Sequence, residues 1–323
     1  MQLSSPAHAS KSRLLLAALL ALTLALTAAT ACSDDGQQPD GGALDQQVVT
    51  PVTLTIATFN VHNFFDAQDD PNHQDDLPTP AAVQYSLTAL GKAIRAIDAD
   101  IIALQEVENY KLLQRLNSEE LGSLNYVELR LVEGNDYRGI DVALLSRFKT
   151  TWLFSHVADT FKGVDGDTST YGFSRDCLEV EFQPTAGRTL TLLINHLRSE
   201  STGDGIPRRQ AQAQQVRKIA DEVFKKRPDG LLAVLGDLND TPESKTVKLI
   251  TTGTPQLVDL LTLVPAAERY TFSNNSNKSQ LDYIIASPAL QADLVAGSVK
   301  ADHRAVFSSA SDHFPVSATF TID

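Results

Sequence analysis

The chain has 323 residues, 42% of them hydrophobic and 7% aromatic, an ordinary globular balance that suits one large domain or two small ones. Its formal charge of -13, from 27 Lys and Arg against 40 Asp and Glu, argues against a protein that holds nucleic acid by bulk charge, since duplex affinity comes largely from neutralised phosphates. Two cysteines, Cys32 and Cys177, exclude a disulfide framework.

At the N-terminus Lys11 and Arg13 precede an uncharged apolar run from Leu14 to Ala28, and the small residues Ala29, Thr30 and Ala31 lead into Cys32. This pattern predicts an export signal over residues 1–31. The segment Ala29-Thr30-Ala31-Cys32 resembles a bacterial lipobox, in which the cysteine becomes the lipidated first residue, although Ala29 stands where Leu is usual. Simple secretion and an uncleaved membrane anchor are the competing readings. Removal of residues 1–31 takes away Lys11 and Arg13 and no acid, so the mature chain is more acidic still. Residues 32–51 are rich in Asp, Gln and Gly and read as a disordered tether.

A globular domain is expected over residues 52–323. VTLTIATF alternates as a strand with Val52, Leu54 and Ile56 on one face. Ala82 to Ile97 reads as a helix, broken near Asp98 and Asp100 before the strand IIAL. DVALLS, CLEVEF, LTLLI, LLAVL and DYIIA are further short strands, and VSATFTI closes the series. Arg208 to Lys226 carries Val216, Ile219, Ala220, Val223 and Phe224 at helical spacing. Many strands with interspersed helices and no glycine-rich phosphate loop predict packed sheets flanked by helices.

The residues able to do chemistry sit where strands end. Asn60 ends the first strand, Glu106 ends IIALQ, His196 ends LTLLIN, and Asp237 with Asn239 follows LLAVLG. Asp282 opens DYIIA, and Asp312 with His313 stands in SDHFPV. A carboxylate beyond a buried apolar strand is costly unless it is paired or holds a cation. Converging strand ends of this kind would make a site of hard oxygen ligands suited to Mg²⁺ or Mn²⁺. Singly, each residue has a plainer reading: Asn60 as a turn residue, Glu106 and Glu108 as solvated strand ends, GDLND as turn formers ahead of a helix begun by Pro242, and either histidine as structural. Arg208, Arg209, Arg217, Lys218, Lys225, Lys226 and Arg227 read as a solvated helix face that could double as a phosphate-attracting patch. His62, His73, His156 and His303 match no motif, and Cys177 reads as a buried small hydrophobe.

Taken together, TFN, LQEVE, GDLND, LDYIIAS and SDHFPV resemble the endonuclease/exonuclease/phosphatase superfamily, in the family's order and from about Thr53 to Phe320. YRGIDVALLSR and GFSRDCLEVEF are similar to its bacterial extracellular nuclease-like branch. The resemblance implies an α/β four-layer sandwich, two mixed sheets face to face with helices outside. It further implies Glu106 as the principal metal ligand with Asn60 and Asp312 beside the same ion, and Mg²⁺ or Mn²⁺ as the cofactor, with Ca²⁺ as a candidate structural ion. Asp237 and Asn239 would position the attacking water or a second ion, and Asp282 would orient His313. His196 would complete the catalytic set, Arg175 would contact phosphate, and Asp141 is a looser candidate for orienting His196. Two assignments stay open: His313 as base with His196 as acid, or Asp237 as base with His313 bracing the phosphate. The functions compatible with this set are an exported nuclease of low sequence selectivity, a lipid or small-molecule phosphodiesterase or phosphatase, and a catalytically inactive binding module. Nucleic acid is the expected partner, together with the membrane if Cys32 is acylated. The inositol-phosphatase string and a long apolar docking hairpin are both missing from the sequence.

Overall fold

In the computed structural model, residues 50–199, 202–274 and 277–323 are described. The export signal and Cys32 lie outside these residues, as does nearly all of the tether. Among the described residues no helix is long and apolar enough to cross a membrane.

Two six-stranded mixed sheets carry the architecture. The first runs β15 (Lys300–Ala301), β16 (Val316–Ile322), β1 (Val52–Phe64), β2 (Ile101–Val107), β4 (Asp141–Ser146) and β3 (Glu128–Leu131). The second runs β11 (Val258–Asp259), β14 (Asp282–Ala286), β10 (Leu231–Asp237), β9 (Arg188–His196), β8 (Cys177–Thr185) and β5 (Trp152–Ser155). Each has one parallel pair, β1 with β2 and β9 with β10, and is otherwise antiparallel. Two hairpins, β6 (Thr160–Lys162) with β7 (Thr170–Gly172) and β12 (Phe272–Asn274) with β13 (Asn277–Ser279), sit outside the sheets.

Side-chain alternation makes the layers. Leu54 and Ile56 of β1, Ile101 and Ala103 of β2, Leu192 and Ile194 of β9, and Leu231, Ala233 and Leu235 of β10 all enter one buried cluster between the sheets. The opposite parity of the first sheet, Ala57, Phe59, Ile102 and Leu104, packs under α1 (Pro80–Ile97) and α2 (Tyr110–Glu120). The outer face of the second sheet, including Leu193, Leu232, Val234 and Ile285, packs under α3 (Gly205–Lys226) and α4 (Lys245–Thr251). The order helix, sheet, sheet, helix is the expected four-layer sandwich. Two one-turn helices, α5 (Pro288–Ala292) and α6 (Ala305–Ser308), fill connections.

Several expectations need correction. The helix after GDLND is capped by the Ser244 side chain, which accepts from Val247 N, and starts at Lys245, so Pro242 belongs to the preceding turn. Glu108 is not a solvated strand end: it is buried and accepts from Asp66 N. The cationic face on α3 is largely committed, with Arg209 on Asp240, Arg217 on Asp221 and Arg227 on Glu181.

Candidate functional site

The alternation that fills the inter-sheet core also builds the site, because at one end of the sandwich the same parity turns polar. Along β1 the inward positions run Leu54, Ile56, Thr58, Asn60, and Thr58 already needs a partner, donating to Gln105 Oε1 at 3.2 Å. On β9 the sequence Leu190, Leu192, Ile194 continues to His196; on β10, Leu231, Ala233, Leu235 continues to Asp237; on β14, Ala286 and Ile284 lead back to Asp282. Register aligns these ends, since Asp237 lies opposite both His196 and Asp282. Glu106 has the other parity. A register shift at the end of β2, with Glu106 at φ 67°, turns its side chain inward.

Asn60 holds the two sheets together at this point. Its Nδ2 donates to Glu106 Oε1 at 3.1 Å and to Asp237 Oδ2 at 3.0 Å, while its Oδ1 accepts from His62 N. The amide nitrogen therefore faces the acids, and the oxygen that a metal would use is turned to the backbone. Glu106 Oε2 accepts from Asn63 N at 2.7 Å. Two imidazoles approach the same acids: His196 Nε2 lies 3.8 Å from Glu106 Oε1 and from Asp237 Oδ2, and His313 Nε2 lies 3.8 Å from Asp237 Oδ2. His313 Nδ1 donates to Asp282 Oδ2 at 2.7 Å, the orienting pair expected from the sequence. Asn239 donates its backbone N to Asp237 Oδ1 and its side-chain Nδ2 to Leu197 O, so it braces the turn that carries Asp237.

The charges are set by burial and by neighbours. Burial works against protonation of His313, but Asp282, aided by Asp237 and Asp312, lifts its pKa to about 10, so the ring is an imidazolium at neutral pH. His196 goes the other way: burial, then the positive charges of Arg175 and His313, push it well below the usual histidine range. Burial and the adjacent Asp282 push Asp237 up to about 7. One charged and one neutral imidazole thus flank a carboxylate of raised basicity.

The donor set fits a divalent cation. Asp237, Asp282 and His313 each offer a ligand atom within 4.8 Å of the others, and Glu106 adds a third carboxylate through its contacts with Asn60 and His196. Asp282 Oδ1 is buried without a hydrogen-bond partner. Asp282 Oδ2 already accepts from His313, which leaves Glu106 and Asp237 as carboxylates that could hold an ion or an attacking water.

Three sequence candidates stand elsewhere. Asp312 is at the rim, 2.9 Å from His62 Nδ1. Asp141 does not reach His196: one oxygen accepts from Gly134 N at 2.7 Å, while its other oxygen and His196 Nδ1 are both left without partners. Arg175 is placed behind the site, not at its surface; its side chain is 1% exposed, and Nη2 lies 2.6 Å from Asp136 Oδ2. Correspondingly, sequence reasoning missed Asp136, Arg138, Asn63 and His62, which support or border the acids. YRGIDVALLSR was read as a family-branch signature, with Asp141 as a loose candidate and no role for Arg138; the short polar run before it was the available signal.

The chain is similar to solved structures over most of its length. The human Nocturnin catalytic domain with bound sulfate anion matches at 17% identity, covering 85% of this chain and 98% of that one, with a TM-score of 0.60. A Bacteroides vulgatus endonuclease/exonuclease/phosphatase matches at 19% identity, 84% and 100% coverage and a TM-score of 0.58, and truncated Caenorhabditis elegans TDP2 at 18%, 83% and 98%, and 0.55. At these identities the likeness is one of fold. No curated protein matches the sequence. The family model described as Endonuclease/Exonuclease/phosphatase family matches residues 55–307, a span that takes in Asn60, Glu106, His196, Asp237 and Asp282. On that match, with the four-layer sandwich to support it, the chain belongs to the endonuclease/exonuclease/phosphatase family.

Proposed function

We propose that this protein is a divalent-cation-dependent phosphodiesterase that cuts nucleic acid with little sequence selectivity. The observation that carries the reading is the cross-sheet bridge at Asn60, which gathers Glu106 and Asp237 between a neutral His196 and a charged His313. Glu106 would be the principal ligand of Mg²⁺ or Mn²⁺, and the ion would supply charge compensation on the phosphoryl oxygens. The protein's own groups do the rest. Asp237, braced by Asn239 N, accepts the proton of the attacking water. The water oxygen bonds to phosphorus as the ester P–O bond breaks; the bonding pair leaves with the ester oxygen, which takes up a proton from solvent water, and Asp237 returns its proton to solvent. His313, fixed by Asp282, presents Nε2–H to the phosphate and stabilises its growing charge. This favours Asp237 as base over His313, because an imidazolium has no lone pair to offer. The sulfate in the Nocturnin structure is in keeping with an anion-accepting member of the fold.

Nucleic acid as substrate is supported by the nuclease-like branch resembled at YRGIDVALLSR and GFSRDCLEVEF. Contacts would be chiefly to the backbone. The test is a matched panel at fixed Mg²⁺: plasmid DNA, RNA, sphingomyelin and a simple phosphomonoester. Strand cleavage is expected; turnover of lipid or monoester without strand cleavage would leave only the broader phosphoesterase. We also propose that the protein is exported, with Cys32 as the lipid-bearing first residue. Mass spectrometry of the mature N-terminus should find an acylated Cys32, and a free chain starting elsewhere would mean ordinary secretion.

A further inference from the structure

The buried position of Arg175 leaves the site without the phosphate-contacting arginine that the sequence suggested, and the residues around it point to a replacement. Asp136 is fully enclosed and lies between two guanidinium groups. On one side Arg175 Nη2 meets Oδ2 at 2.6 Å. On the other, Arg138 donates its backbone N and its Nε to Oδ1, at 2.9 and 3.2 Å. One carboxylate between two cations leaves one positive charge uncompensated within this trio. The side chain of Arg138 is 28% exposed against 1% for Arg175, so the surplus is presented at Arg138.

Arg138 also faces the acids. Its Nη1 donates to Asn63 Oδ1 at 3.2 Å, and Asn63 N in turn donates to Glu106 Oε2. Its Nη2 has no hydrogen-bond partner among the described residues, although the guanidinium lies 5.9 Å from the centre of the Tyr137 ring, which leaves N–H donors of the planar fork available beside the proposed cation ligand. Arg138 also lines a cavity whose wall carries six carboxylates, Glu108 and Glu133 among them, against Lys111 and His73, an acidic excess that disfavours an anion there. The better position for a phosphate is on the Asn63 side, where the cation proposed at Glu106 would offset that carboxylate.

We propose that Arg138 binds the substrate's phosphate alongside His313, and that Asp136, backed by buried Arg175, positions it. The inference rests on the phosphoesterase reading above and deepens it. A guanidinium held at Nε by a buried carboxylate keeps its outer edge pre-organised for an oxyanion, so little order is lost on binding.

The experiment is calorimetric titration of the full protein with inorganic phosphate, with Mg²⁺ present, for wild type, Arg138→Ala and Arg138→Lys. Steady-state cleavage is measured alongside. Arg138→Ala should weaken phosphate binding and raise KM about tenfold or more, with a much smaller change in kcat, and Arg138→Lys should recover part of the loss. The melting temperature of Arg138→Ala serves as the fold control. Asp136→Asn should shift KM in the same direction, and Arg138→Ala should add little to it, which a merely structural carboxylate would not produce. Wild-type phosphate affinity in Arg138→Ala, or no phosphate binding by the wild type, overturns the proposal. Phosphate binding that depends on Arg138 without turnover of any ester would uphold it and count against the enzymatic reading instead.

Discussion

His313 and Asp282 are the clearest case of two residues acting as one. The imidazole is buried, and a buried cation is unfavourable unless its partner is close. Asp282 supplies that partner at 2.7 Å and is itself held by Thr271 Oγ1, which accepts from Asp282 N. Asp282→Asn should therefore cut turnover about 10- to 100-fold in the wild-type background and less than about threefold in a His313→Ala background, because the second change removes a group already without its partner. Double-mutant-cycle kinetics checks this; strictly additive losses would mean that Asp282 serves the fold and not His313. Asn60 acts differently. It touches Glu106 and Asp237, one from each sheet, so it sets the distance between the acids.

At the scale of elements, the site depends on strand ends staying in register. Gly236 precedes Asp237 on β10 at φ 126°, a conformation that side chains rarely adopt, and a Cβ there would meet Asn195 O of the neighbouring β9 at 1.9 Å. Gly236→Ala must push β9 and β10 apart where His196 and Asp237 are carried. It should cost about 3 kcal/mol or more in denaturant unfolding, and a cost below about 1 kcal/mol would show that the two strands are not held so closely. Much of this layer was legible in sequence. Strands such as LTLLINH and LLAVLGD declare themselves through apolar runs that end abruptly in a polar residue, so Asn60, His196, Asp237 and Asp282 could be named before their geometry was known. Glu106 could be named but not oriented, since its inward turn comes from a shift in register with β4. The edge strand WLFS of β5 is too short to show a pattern, and the helix YKLLQRLNSEE of α2 is short and buries little beyond Leu112, Leu113 and Leu116, so neither was read. Asp136, Arg138 and the enclosure of Arg175 were beyond reach for another reason: loop residues acquire their roles only when the ends of both sheets meet.

For the whole molecule, acidity and function have to be reconciled. A chain with a formal charge of -13 repels a polyanion at long range. The cationic face of α3 gives limited help, because Arg209, Arg217 and Arg227 are engaged with carboxylates. What remains is local: His313, Arg138 and a cation at the acids, all at one end of the sandwich. Binding and chemistry should thus share a dependence on that cation, and Glu106 is the carboxylate through which it is most directly removed. Its side chain is mostly buried and accepts from Asn60 and from Asn63 N. Glu106→Gln keeps the shape and removes the charge. The measurement that bears most directly on the account is Mg²⁺ titration of strand cleavage by wild type and Glu106→Gln, with the melting temperature recorded for both. The expected result is an unchanged fold, a cation requirement raised about tenfold or more, and turnover reduced by at least about 100-fold at saturation. Full activity of Glu106→Gln at limiting Mg²⁺ would contradict it.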